Sequence, residues 1–322
     1  MRLNKKVFSL LPIIILLAIG VGFVYRQSIF DWYRLWSYDP PASIKQVAKK
    51  ATMTEDGKRN FYVMHPVVSS GTDFNDKCRN DMANEYSIIL GCYISNDGIY
   101  LYDVDDKRLK GIVEVTAAHE MLHSAYDRLS ASEKQKVDEM TSQTILNVSD
   151  NRIKKTVEQY RKQDPSSVPN ELHSILGTEV AELPQELENY YKKYFADRSV
   201  VTSLSAGYET EFSTRQSKAE QIELQISGLK TEIETNQKLV NDKRFQLEND
   251  KAELDELLAD GKADEYNQRV DTYNQSVSDY NQIVNDLQAT INQHNALVKE
   301  YRTVSLEIND LYQSIDSRPA EL

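Results

Sequence analysis

Prolines are missing from residues 208 to 315, histidines number only five, cysteines only two, and basic residues fall short of acidic ones, 38 against 50. Each shortage excludes something. A net charge of −12 with no basic patch leaves nothing to neutralise phosphates, which excludes nucleic acid as a partner. The acidic excess reads as a solvated surface. There is no Gly-rich phosphate loop and no nucleophilic serine motif, so phosphoryl transfer and serine-based hydrolysis have no footing. The missing prolines leave room for uninterrupted helices in the last third of the chain.

Charge is also absent locally. Residues 7–25 form an apolar run of 19 with no charged side chain, just long enough to cross a bilayer as a helix. Arg2, Lys5 and Lys6 precede it, so the expectation is a cytoplasmic N-terminus at 1–6, a transmembrane anchor at 7–25, and an extracytoplasmic remainder. A cleaved secretory signal, cut after the small residues Ala18 and Gly20, is the alternative, although no A-x-A triplet marks the site. Phe30, Trp32, Tyr33, Trp36 and Tyr38 follow as an aromatic belt in the linker 26–41. Both readings export the bulk of the chain, where Cys78 and Cys92, 14 apart, are expected to form a disulfide.

Asp39-Pro40-Pro41 marks the start of a folded domain at 42–205. Residues 42–51 read as a short helix, and Asn60–Met64, Ser87–Tyr93 and Gly98–Val104 as strands. The last two strands make a hairpin about Asn96-Asp97-Gly98. Helices follow at 130–147, 152–162, 170–183 and from Pro184 to Phe195. Next comes a coiled-coil pattern at 206–316, with a tail at 317–322. Ile226, Ile233, Val240, Leu247 and Leu254 stand seven apart, and Tyr266, Val270, Tyr273, Val277, Tyr280, Val284, Leu287 and Ile291 alternate at four and three. With a break at Ala259-Asp260-Gly261-Lys262, this predicts an antiparallel hairpin whose arms are each roughly 75 Å long at 1.5 Å per residue. Asn236 and Lys243 put polar groups in the first arm's seam, leaving room for a partner helix or self-association. The fold class expected is thus α+β, mostly helical: a small sheet with a metal-binding helix, followed by the hairpin.

Two of the five histidines stand four apart in His119-Glu120-Met121-Leu122-His123. The stretch Val113–Ala118 leads in and Ser124-Ala125-Tyr126 leads out without glycine or proline, as a buried helix requires. On a helix both imidazoles face one ion, and the spacing suits two corners of a tetrahedral Zn²⁺ site. Glu120 lies where a carboxylate can accept a proton from a water that the ion has acidified. A third ligand is needed, and His173, Glu179 and Glu182 are on offer. His65 and His294 read as structural.

On these residues the segment resembles the gluzincin branch of the zinc metallopeptidases, in which HExxH is followed by a metal-ligating glutamate on a later helix. The resemblance covers about residues 60–200. It implies a zincin-like fold with His119, His123 and Glu179 as metal ligands and Glu120 as general base. It also implies that His173 can polarise the scissile carbonyl. Two departures stand out. Ser124–Arg128 lacks the Gly and His of the metzincins, and Leu183 stands where many gluzincins have an aspartate four residues after the glutamate. The function expected is a membrane-anchored zinc metallopeptidase acting on peptide or protein substrates near the membrane surface. The strand before the metal helix would pair with an extended substrate. The alternative is a coiled-coil envelope scaffold whose zinc site is structural or inactive.

Overall fold

The computed structural model of the chain describes Leu16, residues 25–84 and residues 88–318. The transmembrane expectation for 7–25 therefore lies, apart from Leu16 and Tyr25, outside the described residues. So do the 1–6 segment, Ser87 in the expected strand, and most of the tail. Among the described residues no helix is long and apolar enough to cross a membrane. These residues are mostly helical, with a three-stranded sheet and a long helical hairpin. The chain divides into two compact units, Met1–Glu211 with Gln313–Leu322, and Phe212–Tyr312.

In the first unit, α1 (Arg26–Trp36) and α2 (Ala42–Lys50) lead to α3 (Glu55–Tyr62). The last of these corrects the strand expected at Asn60–Met64. The Thr54 side chain accepts from the Gly57 amide, and Glu55 and Asp56 occupy the first turn, so a capped helix begins early enough to absorb the apolar Phe61. Strand β1 (Val67–Ser69) and helix α4 (Gly71–Asn84) come next, and neither shows in the hydropathy pattern.

Strands β2 (Gly91–Ile94) and β3 (Gly98–Tyr102) form the expected antiparallel hairpin, with Asn96 at positive φ in its turn. The sheet order is β1-β3-β2, with β1 parallel to β3. β3 is therefore central, and both its edges are taken. That overturns the idea that the strand preceding the metal helix pairs with substrate; the edges left are those of β1 and β2. Cys78 on α4 is bonded to Cys92 on β2, fastening that helix to the sheet around a second cluster of Phe74, Ile89 and Tyr100. Reduction is expected to lower stability by about 3 kcal/mol, since a loop of this size is released in the unfolded chain. Thermal unfolding with and without reductant checks it.

A short 3₁₀ turn leads into α5 (Ile112–Asp127), which carries the HExxH motif. Most of its circumference is buried, and it packs against α3, β2, β3 and α8. Gly111 begins it at φ +100°, and a Cβ there would strike Leu204, so only glycine lets the chain enter at this angle. α6 (Ala131–Ile145) starts with a full capping box from Ser130 and Glu133. α7 (Asn151–Gln163), α8 (Val168–Glu179) and α9 (Gln185–Tyr191) follow. Gly177 on α8 lies against the Leu122 and Tyr191 side chains, at 2.4 and 2.9 Å from where a Cβ would be. The missing side chain is what lets α8 settle onto α5. Buried Arg198 donates to the carbonyls of Val180 and Ala181 and pairs with Glu188 at 2.6 Å, holding the exit of α8 in place.

The second unit is built from the greater part of the long helices α10 (Arg198–Ala259) and α11 (Ala263–Ile315), whose outer ends belong to the first. Gly261 turns the chain at φ +73°. Arg215 with Glu307, Glu232 with Thr290, and Glu253 with Arg269 are each equidistant from Gly261, so the two arms run antiparallel in register. The seam positions Ile226, Ile233, Val240 and Leu247 are half-buried and Leu254 is buried. Asn236 and Lys243 sit half-buried in the same seam.

Candidate metal centre

Three side chains from two helices converge. His119 and His123 project from one face of α5, and Glu171 reaches them from the first turn of α8. Glu171 Oε2 stands 3.7 Å from His119 Nε2, and Glu171 Oε1 stands 3.7 Å from His123 Nε2. One ligand atom from each of the three lies within 4.8 Å of the others. Such gaps are too long for hydrogen bonds. Two atoms on a shared tetrahedral ion at roughly 2.1 Å stand about 3.4 Å apart, so closing on an ion takes movements of about 1 Å. Glu171 Oε2 is buried and has no hydrogen-bond partner among the described residues, a cost that a cation held there would remove. Among the described residues this is the group that can hold a metal ion.

The donor set fits zinc: two neutral imidazoles and one carboxylate leave a fourth corner open. Electrostatics agree. Burial alone would push the His119 imidazole down, but the close Glu171 carboxylate, with the charges of Glu120 and Glu179, lifts it to about 9. His123 is lowered, by burial first and by His119 next, with Glu171 opposing. Burial would raise Glu171, yet the two imidazoles and Tyr160 hold it below its usual value. In the metal-free protein His119 is thus protonated at neutral pH. Its proton stabilises the fold below about pH 6.5 and that contribution is lost as pH rises through about 9. A metal must displace this proton, so apparent zinc affinity is expected to rise about tenfold per pH unit between 6.5 and 9, then level off. Zinc titrations against a competing chelator across that range check it.

Glu120 is buried next to the ligands, and Gly91, the first residue of the edge strand β2, lies over it. A Cβ at Gly91 would stand 3.0 Å from Glu120 Oε1 and 2.6 Å from a Thr116 methyl. Gly91 therefore lets the strand approach the carboxylate more closely than a residue with a side chain could.

The other expected site residues fall elsewhere. Glu179 is not in the cluster: it pairs with Arg152 at 2.7 Å, and Arg152 also contacts Glu209 at 3.3 Å. Eight residues beyond Glu171 along α8, it lies about 12 Å further up the axis. Glu179 and the exposed Glu182 line a hollow of about 550 Å³ that none of the three converging residues lines. His173 is fully buried, with Nε2 3.0 Å from the Tyr190 hydroxyl and its ring among Tyr126, Tyr190, Tyr191 and Tyr194. Burial and the two nearby imidazoles press it down to about 3, so it is neutral and closed to any substrate. The carbonyl-polarising role is corrected accordingly. His65 stacks on Tyr38, and His294 sits half-buried in the hairpin seam.

Glu171, which does converge on the histidines, is not among the three candidates the sequence offered. A signal was present: its i+4 and i+7 neighbours, Ile175 and Thr178, are buried, which puts Glu171 on the inward stripe of the helix. No family model matches the chain, and no curated protein or solved structure matches it.

Proposed function

We propose that the chain is a zinc-dependent metallopeptidase of the gluzincin type, with His119, His123 and Glu171 as metal ligands and Glu120 as general base. The convergence of those three side chains beside a buried glutamate carries the reading. Bound zinc supplies a Lewis acid and lowers the pKa of water at the open corner. Glu120 accepts the proton released when water adds to the peptide carbonyl and returns it to the departing amine. Glu171 neutralises charge and fixes the two imidazoles. An extended peptide laid along the free edge of β2 brings its carbonyl close to Glu120 at Gly91.

The apolar run at 7–25 and the Cys78–Cys92 bond favour a domain tethered outside the cytoplasm, acting on peptides within reach of the membrane. Metal analysis of the purified chain, paired with a peptide-cleavage assay, tests the proposal. Stoichiometric zinc with zinc-dependent cleavage supports it, and a metal-free chain at saturating zinc overturns it. A second reading, a scaffold with a lapsed site, is favoured by the polar seam residues Asn236 and Lys243 and the exposed Leu224, Phe245 and Leu306 on the hairpin. Zinc without cleavage of any peptide selects that reading.

A further inference from the structure

Helix α1 carries a face that no described residue of the first unit covers. Tyr25, Ile29, Trp32, Tyr33 and Trp36 are between 53% and 75% exposed. At about 100° per residue they fall in one stripe roughly 100° wide, with no charged residue in it. Trp32 and Trp36 stack on each other, and they are the only tryptophans in the chain. A contiguous aromatic stripe of this kind calls for a partner.

The opposite face of α1 is fixed to the domain. Buried Asp31 accepts from Arg128 at 3.0 and 3.1 Å. Arg34 donates to the carbonyls of Val63 and Asp97 at 2.9 and 2.8 Å, and Leu35 packs on the core. Arg128 caps α5 and donates to the Ser124 carbonyl and hydroxyl, one residue beyond His123. The clamp therefore ties the aromatic stripe to the end of the metal helix.

We infer that this stripe lies in the interfacial layer of a phospholipid bilayer, and that the Asp31–Arg128 clamp sets the orientation of the metal helix against the membrane. Two observations choose lipid over a protein partner. The charge-free apolar run of residues 7–25 ends at Tyr25, the first residue of the stripe, so a segment suited to the hydrocarbon core delivers α1 to the bilayer surface. The stripe is also dominated by tryptophan and tyrosine, whose apolar rings and polar tips suit the boundary between water and acyl chains. The inference rests on the anchoring reading of residues 7–25 and is independent of the metal.

The test uses the full chain in phosphatidylcholine vesicles and in single-copy nanodiscs. Because both tryptophans belong to the stripe, intrinsic tryptophan emission reports on it alone, and Trp32→Phe and Trp36→Phe assign the signal to each ring. The expected result is loss of most emission with lipid brominated high on the acyl chain, and protection from aqueous iodide in both preparations. Strong iodide quenching of a chain that floats with vesicles overturns the proposal while leaving the anchor standing. Iodide protection in vesicles that vanishes in single-copy nanodiscs assigns the face to a second copy and also overturns it. A chain that fails to float removes both the anchor and the interfacial helix.

Discussion

Glu120→Gln is expected to retain a full equivalent of zinc and to lose peptide hydrolysis by about 10²- to 10⁴-fold. The substitution preserves the shape of the side chain beneath Gly91 but removes the carboxylate that accepts a proton. Because Glu120 is not among the three converging side chains, the substitution is expected to leave zinc binding intact. Zinc content measured beside cleavage rate separates the two roles. Undiminished cleavage sinks the assignment of Glu120 as base. His119→Ala, by contrast, is expected to lose metal and cleavage together, since it removes one corner of the site.

The second large effect separates two glutamates on one helix. Glu171→Ala is expected to weaken zinc binding by more than the roughly 100-fold that loss of an outer partner can cost, because it removes a direct ligand. Glu179→Ala is expected to leave stoichiometric zinc in place, its partner Arg152 keeping Glu209 and Asp150. Thermal unfolding of both variants with chelator present controls for folding. If the Glu179 variant loses zinc and the Glu171 variant keeps it, the metal centre drawn from the three converging residues is wrong.

Much of this architecture can be read from periodicity and spacing. The hairpin helices follow the heptads and turn at Gly261. The β2–β3 hairpin, the capping box at Ser130 and the helix through His119–His123 all carry local signals strong enough to survive tertiary packing. The Cys78–Cys92 bond follows from there being only two thiols. What could not be read is what depends on packing between segments. Whether Phe61 belongs to a strand or a helix is decided by the Thr54 cap, which outweighs a short apolar run. Which carboxylate meets His119 and His123 depends on how α8 slides along α5, where Gly177 meets Leu122. His173 is two residues from Glu171 yet faces the tyrosine cluster, because neighbours two apart on a helix point about 200° from each other.

The mirror relation of the two hairpin arms about Gly261 carries a rule for length. Removing or adding one heptad on each side of that glycine keeps every facing pair matched and changes reach by roughly 10 Å at 1.5 Å per residue. An unequal change slides one arm along the other and breaks the facing pairs Arg215–Glu307, Glu232–Thr290 and Glu253–Arg269. The arm is thus a ruler graduated in sevens, adjustable at its tip without touching His119, His123 or Glu171.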